Sequence, residues 1–188
     1  MIKLRDRVVL GLAAGMLGNL AKDGLDYLAY KKGWSELLYG HLAASLFAEP
    51  EKVRQPKDFV VGQLVDMTWG ALSGVPVVYL LSWTGRDHYL LKGAAMGVLW
   101  WQVVYGLFPR LRMLQVDPQE TETNLSALLN HLAYGLVTSA AAVHLGHPDL
   151  FPAQTGNPGD DRQQEAAKGR TGPARRRGLA QTLGSYVQ

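Results

Sequence analysis

The chain has 188 residues, of which 47% are hydrophobic and 19% are charged, with no cysteine and a formal net charge of +3. That length suits one domain, and the lack of cysteine excludes disulfide scaffolds, thiol catalysis and cysteine metal sites. The charges are unevenly spread: residues 59–83 contain only Asp66, residues 88–108 contain only Lys92, and residues 124–146 contain none. Because a soluble protein surface is about a quarter to a third charged, this distribution excludes a water-soluble bundle and predicts an integral membrane protein.

The apolar segments have the length of membrane-spanning helices, since a hydrocarbon core about 30 Å thick requires roughly 20 helical residues. The first follows Lys3, Arg5 and Arg7. Polar residues interrupt its apolar stretch and no small-residue cleavage site follows, so we expect a retained span rather than a signal peptide. The four predicted spans are residues 8–30, 59–83, 88–108 and 124–146.

The connections between these spans differ in character. The first contains an apolar helical stretch from Trp34 to Ala48, which is too short to cross the bilayer and is predicted to be an interfacial or re-entrant helix. The second is a tight turn at residues 84–87 that makes its flanking spans antiparallel. Asn124 or Thr123 is the predicted N-cap of the fourth span.

The composition changes after Pro148. Residues 152–188 are rich in Gly, Gln, Pro and Arg without apolar periodicity, so we predict a disordered basic tail behind a transmembrane domain of residues 1–151. The run Arg175–Arg177 is a candidate contact for anionic lipid, and no nucleic-acid partner is expected. The predicted fold class is therefore all-α: a polytopic membrane four-helix bundle with an interfacial helix in loop 1 and a disordered C-terminal tail.

The orientation in the bilayer depends on the Lys and Arg residues near the spans. Five lie on the side of the N-terminus and seven on the other side, which does not decide between the two orientations. The arginines of the distal tail favour both termini in the cytoplasm.

Small residues recur on one face of each span, where they allow helix backbones to approach closely. In the first span they share an arc of roughly 140° with the polar residues. The glycines assigned to helix packing are Gly11, Gly15, Gly18, Gly62, Gly70, Gly74, Gly93, Gly97 and Gly135. Four helices are expected to leave part of this glycine surface unmatched within one chain, which predicts a homo-oligomer or a membrane protein partner within the lipid bilayer.

An intramembrane polar cluster is the most specific prediction. With the midpoint of each span at the bilayer centre and a rise of about 1.5 Å per residue, Lys22, Asp66 and His131 each lie roughly 4–8 Å from the centre, all on the same side. Asp23 and Asp26 extend the cluster outward on that side. Ionisable residues within a membrane are costly and are therefore candidates for function.

Two interpretations of the cluster remain open. It is a proton or ion relay or a polar binding cavity, or it is a structural Lys22–Asp66 pair with His131 as a hydrogen-bonding strut that sets helix register. Asp66 and His131 are the only acid–base pair and no nucleophile arrangement accompanies them, so we expect no enzymatic activity and no catalytic residue. No cofactor or metal site is expected either, because His144 and His147 lack a third ligand.

Other polar and aromatic residues are assigned to the membrane interface. Lys92 lies near its helix end, where its ammonium group can snorkel to the headgroups. The tryptophans are predicted to be interface anchors and packing residues, and they are Trp34, Trp69, Trp83, Trp100 and Trp101.

Three stretches carry a resemblance to known proteins: DRVVLGLAAGMLGN at residues 6–19, GVPVVYLLSWTGRDHYLLKG at residues 74–93 and NHLAYGLVT at residues 130–138. With them the chain resembles a group of small, functionally uncharacterised bacterial four-span membrane proteins. The resemblance implies four spans in the bacterial inner (plasma) membrane and no particular activity. We therefore expect a non-enzymatic membrane assembly or interaction protein, with a homo-oligomeric proton- or ion-linked transporter or channel as the alternative.

Overall fold

The computed structural model describes residues 3–116 and 120–151. Its helices, in chain order, are α1 (Arg7–Lys31), α2 (Tyr39–Ala44), α3 (Pro56–Thr84), α4 (Tyr89–Trp101), a π-helical segment (Gln102–Leu107), α5 (Phe108–Arg110) and α6 (Thr121–Leu145), followed by a 3₁₀ turn (Pro148–Leu150). Four helical stretches are long and apolar enough to cross a membrane, namely α1, α3, the continuous stretch Tyr89–Arg110, and α6. The protein is thus an all-α membrane four-helix bundle, and each predicted span ends within three residues of an observed helix end.

The chain reverses direction at each connection, so two sides of the bundle can be named. The terminal side holds the start of α1, the turn between α3 and α4, and the end of α6. The loop side holds the end of α1, α2, and the start of α6. The predicted tail at residues 152–188 lies outside the described residues.

A helix lies in the first connection, as predicted, but it is shorter than predicted. Helix α2 has only six residues of the stretch from Trp34 to Ala48, because Gly33 turns the chain at φ 75° and the chain is extended at Leu38 before the helix begins. The predicted N-cap of the fourth span is wrong. Helix α6 begins at Thr121 with Glu120 as its N-cap, three residues before Asn124. Glu122 in the first turn is favourably placed at the positive end of the helix dipole, which supports the earlier start.

Lys92 has a different role from the predicted one. Its Nζ donates hydrogen bonds to the backbone carbonyls of Thr84 at 3.1 Å and Gly85 at 3.0 Å. The last carbonyls of a helix lack partners within the helix and carry partial negative charge. The ammonium group therefore caps the end of α3 and fastens the start of α4 to it, rather than reaching for lipid headgroups.

The helices pack in the order α3, α1, α6, α4. Helix α1 packs along both α3 and α6, and α4 packs along α6. Helices α3 and α4 are consecutive and antiparallel, yet they make few contacts with each other, and α2 packs against α3 on the loop side. The bundle has four seams, which are the lines of contact between neighbouring helices. Three of them are tightly packed, and the seam between α3 and α4 is loose.

The nine packing glycines all face other helices of the same chain. A methyl group on Gly11 or Gly74 of the α1–α3 seam would lie 2.6 Å from a backbone Cα of the opposite helix, and one on Gly135 would lie 2.8 Å from the carbonyl carbon of Gly93 in α4. Gly15 and Gly70 belong to the α1–α3 seam, Gly18 faces α6, Gly62 faces α2, and Gly97 faces α6. The expected unmatched glycine surface is not found among these positions, because the bundle itself uses each of them.

The interior differs between the two sides. At the terminal side, Leu4 forms a short bridge with the end of α6, donating to the carbonyl of Leu145 at 2.9 Å and accepting from the N–H of His147 at 2.8 Å. This bridge lies over an apolar core formed by Leu10, Ala14, Val77, Val78, Leu81, Ala142, Leu150 and Phe151. Toward the loop side the buried side chains of the spans are mostly polar, and the predicted cluster lies there.

Candidate functional site

Lys22 and Asp66 form a buried ion pair between α1 and α3. The Lys22 Nζ lies 2.8 Å and 3.0 Å from the two carboxylate oxygens of Asp66. The close packing at Gly15, Gly70 and Gly74 brings the two helices near enough for this contact. The Lys22 side chain is 6% exposed and that of Asp66 is 12% exposed, so the pair is largely removed from the surroundings of the bundle.

Asp23 lies behind this pair. Its carboxylate is 3.2 Å from the Lys22 Nζ and accepts hydrogen bonds from the Gln63 Nε2 at 2.7 Å and the Asn19 Nδ2 at 3.1 Å. The Asn19 Nδ2 also donates to Asp66 at 2.9 Å. The two carboxylates therefore share one ammonium group and one amide, which holds α1 and α3 in register.

Asp26 serves a separate purpose. Its Oδ2 accepts a hydrogen bond of 2.9 Å from the backbone N–H of Tyr39, the first residue of α2. The structure shows no ion pair to Asp26 among the residues it describes. Asp26 thus fixes the start of α2 over the loop end of the bundle, which turns Tyr39 toward the interior.

Tyr39 connects the ion pair to His131. Its ring lies beneath the Lys22 Nζ, 3.6 Å from the ring centroid, and its hydroxyl lies 3.3 Å from the His131 Nδ1. Burial, with Tyr105 and Asp26 nearby, raises the pKa of Tyr39 well above its ordinary value of 10.0, so the phenol stays neutral. The structure thus places Tyr39 between the ion pair and His131, which were predicted to belong to one cluster.

His131 is buried in α6 and held by its own helix. Its Nδ1 lies 2.8 Å from the carbonyl oxygen of Ala127, and because a carbonyl only accepts, this nitrogen carries a hydrogen. The imidazole ring also makes edge contacts with the rings of Tyr39 and Tyr105. No hydrogen bond joins His131 to Asp66 in the described part of the chain.

A cavity of about 240 Å³ lies where α3 and α4 separate. Its polar end is formed by Lys22, Asp66 and His131 together with Asn19, while Asp23 and Asp26 do not line it. The remaining walls are mostly apolar and come from α2, α3, α4 and the segment after α5. Three of the five predicted cluster residues therefore face open space, and the other two lie in the packed protein behind them.

Aromatic rings form the wall of this cavity nearest the outer surface of the bundle. The Trp69 ring meets the ring of Trp100 at a centroid distance of 6.3 Å and that of Phe108 at 5.9 Å, both edge to face. Trp69 is 44% exposed, so this wall borders the lipid-facing surface between α3 and α4. Trp69 and Trp100 are thus packing residues, as predicted, and they also line the cavity.

Two polar atoms in residues that line the cavity have no hydrogen-bond partner among the described residues. They are the Oδ1 of Asn19, a fully buried residue, and the Nε1 of Trp100. Both donor hydrogens of the Asn19 amide are directed at carboxylates, which leaves its oxygen as a free acceptor. A buried polar group without a partner costs about 1–3 kcal/mol, so an occupant that reached either atom with a hydrogen bond would remove that cost.

Tyr39 and Asn19 were not among the residues predicted for the site, and a polar cavity was one of the two interpretations of the cluster. Asn19 was recognisable as part of the polar arc of α1, on the same face as Lys22 and Asp26. Tyr39 gave no periodic signal, because it reaches the cluster from a six-residue helix outside the spans. Comparisons of this chain with protein-family models, with curated proteins and with solved structures return no match.

Proposed function

We propose that this protein is a non-enzymatic multi-pass membrane protein that binds a small amphiphilic molecule from the bilayer in the cavity between α3 and α4. One observation carries the proposal: a single cavity joins an aromatic wall on the lipid-facing surface to the Lys22–Asp66 pair in the interior. An amphiphile matches this polarity, with its apolar part against Trp69 and Trp100 and its polar end at Asn19 and Asp66.

The size of the cavity agrees with a small head group. An apolar cavity of about 150 Å³ is enough to hold benzene, and the present cavity measures about 240 Å³. It therefore accommodates one ring with a short substituent. A longer tail would leave between α3 and α4, where the two helices make few contacts.

Cysteine labelling tests the proposal, because the chain contains no native cysteine. The Ala43→Cys variant places a thiol in the cavity lining. Two matched alanine variants serve as controls: Ala14→Cys in the fully buried core and Ala95→Cys on the exposed face of α4. We expect a small membrane-permeant maleimide to label positions 43 and 95 but not position 14.

A simple amphiphilic alcohol then tests whether the cavity can be occupied. We expect 4-phenylbutan-1-ol to slow labelling at position 43 saturably and to leave position 95 unchanged. Equal labelling at position 43 with and without the alcohol and its charged analogues, in protein that retains its thermal unfolding transition, would overturn the proposal.

Transport of a proton or small ion is a second candidate, favoured by the exposure of Lys22 and Asp66 to the cavity. It predicts pH-dependent flux into liposomes that Asp66→Asn abolishes without loss of the folded protein. A homo-oligomer is part of this candidate, because four helices rarely enclose a pore alone. Absence of flux in liposomes that contain protein competent for cavity labelling would rule it out.

We further propose the bacterial inner membrane as the location, with both termini in the cytoplasm. The resemblance of residues 6 to about 151 and the arginines of the distal tail support this proposal. A single cysteine at Asp87, in the turn between α3 and α4, tests the orientation, since an impermeant thiol reagent added to intact cells should fail to label it. Binding of residues 152–188 to anionic lipid and association with a protein partner remain predictions.

A further inference from the structure

The site contains more carboxylates than cations. Three aspartates, Asp23, Asp26 and Asp66, lie beside a single ammonium group, Lys22. No other Lys or Arg of the described chain forms an ion pair with any of the three. Ionisation of all four groups would give the cluster a formal charge of −2, so the site favours added positive charge, whether as a bound proton or as a cation in the cavity.

The ammonium group of Lys22 has no hydrogen left to donate to an anion. It contacts both oxygens of Asp66, one oxygen of Asp23 and the face of the Tyr39 ring. An ammonium group has three hydrogens to donate, and these contacts use all of them. A negatively charged head group would therefore meet the Asp66 carboxylate, with Asp23 and Asp26 behind it, and no available cation.

The unpartnered acceptor at the cavity also favours a cationic ligand. The Asn19 Oδ1 is buried without a partner among the described residues, beside the carboxylate of Asp66. A hydrogen bond from an ammonium N–H to this oxygen would satisfy it and would be charge-assisted. The ring faces of Trp69 and Trp100 add the kind of surface that attracts an organic cation.

We propose that the ligand is a lipophilic ammonium ion, such as a protonated arylalkylamine, that donates to Asn19 and balances the carboxylates behind the cavity. The inference rests on the proposed binding function and specifies its ligand. The ammonium group lies at the polar end of the cavity, and the aromatic or alkyl part lies against Trp69, Trp100 and Phe108.

Three probes of the same length test two questions, whether the cavity binds an amphiphile and which charge it prefers. They are 4-phenylbutylammonium, 4-phenylbutan-1-ol and 4-phenylbutanoate. Each is titrated for protection of the Ala43→Cys variant, and the concentrations in the bilayer that give half-maximal protection are compared. We expect the ammonium ion to protect at a concentration at least about tenfold lower than the alcohol, a ratio that corresponds to about 1.4 kcal/mol, and the carboxylate to protect least. Equal protection by ammonium ion and alcohol would overturn this inference and leave the proposed function standing. Absence of protection by all three would overturn both.

A charge-removal variant provides the second test. Asp26→Asn retains an oxygen that accepts from the Tyr39 N–H and removes one negative charge. We expect it to weaken protection by the ammonium ion about tenfold, because it removes one of the negative charges that attract the ligand, and to leave protection by the alcohol unchanged. The matched control is Asp6→Asn, which alters the N-cap of α1 at the terminal side and should change neither.

The alcohol reports on folding within the same experiment. If Asp26→Asn protein still responds normally to the alcohol and also retains full affinity for the ammonium ion, the carboxylates do not attract the ligand and the inference fails. If Asp26→Asn reduces protection by the alcohol and by the ammonium ion equally, Asp26 acts only by positioning α2. The inference then fails as well.

Discussion

The carboxylate of Asp26 accepts a hydrogen bond of 2.9 Å from the backbone N–H of Tyr39, and through it α1 positions a helix that is not itself a membrane span. Tyr39 then supplies the ring under Lys22 and the hydroxyl near His131. The polar end of the cavity therefore depends on a helix cap as well as on the ion pair.

Loss of this cap should weaken α2. We expect Asp26→Ala to lower the free energy of unfolding by about 1 kcal/mol, the usual effect of removing a side-chain cap. Asp26→Asn should restore most of that loss because its amide oxygen also accepts. Equilibrium unfolding in mixed detergent micelles measures both. An Asp26→Ala protein as stable as the unaltered chain would contradict the capping role.

The two members of the ion pair should respond unequally to substitution. Lys22→Met leaves Asp66 and Asp23 without a cation, and removal of one partner of a buried pair costs about 3–5 kcal/mol. Asp66→Asn should cost less, because Asp23 remains 3.2 Å from the ammonium group. The unfolding free energies of the two single variants check this order, and the double variant completes a mutant cycle. A larger loss for Asp66→Asn than for Lys22→Met would show that Asp23 is a poor substitute for Asp66.

Two glycines of α1 provide a matched test of helix packing. A methyl group at Gly15 would lie 2.7 Å from the carbonyl oxygen of Ala71, whereas one at Gly24 would meet nothing within 4 Å. We expect Gly15→Ala to destabilise the protein by about 1–3 kcal/mol through overpacking. Gly24→Ala should stabilise it by about 0.5–1 kcal/mol, since alanine is the better helix former. The thermal unfolding temperatures of the two variants test this prediction. Similar shifts in both would contradict the close approach of α1 and α3.

The cap that Lys92 places on α3 predicts a local effect. We expect Lys92→Met to lower the free energy of unfolding by about 1 kcal/mol, because the carbonyls of Thr84 and Gly85 lose their donor. Backbone amide exchange should accelerate in the last turn of α3 and the first turn of α4. Lys31→Met, at the end of α1, is the control for loss of a positive charge and should leave exchange in that turn unchanged.

The loop side should respond to pH through His41. Burial, together with the nearby Arg54, lowers the pKa of His41 below its ordinary value of 6.5. The neutral ring is the form that fits, since its Nδ1 accepts from the N–H of Leu38. As the pH falls through 6.5 the unfolded chain binds a proton before the folded one does, so the contribution of His41 to stability is complete above that pH and is lost below it.

His41→Gln tests this assignment, because glutamine at the third position of a helix can also accept from the N-cap N–H. The variant should flatten the decline in unfolding free energy with falling pH just below 6.5 relative to the unaltered protein. An unchanged pH profile would mean that His41 titrates alike in the folded and unfolded states.

Hydropathy and helical periodicity were enough to predict the class and much of the architecture. Apolar stretches of about 20 residues are long enough to cross the bilayer as helices, which satisfy their own backbone hydrogen bonds there. This places all eight boundaries of the four spanning helices within three residues. The same periodicity puts Lys22 and Asp66 at one depth and on inward faces, and the structure brings them to 2.8 Å. These features depend on distances along one helix, which a sequence contains.

Which groups meet, and where space remains between the helices, depends on the tertiary structure. The sequence could not show that α3 and α4 separate, because that seam depends on how α1 and α6 pack between them. It could not show that Gly93 and Gly97 are matched by α6, or that Tyr39 enters the cluster from outside the spans. Helical periodicity orients a side chain about its own axis, whereas a cavity and its lining arise from the mutual placement of several axes.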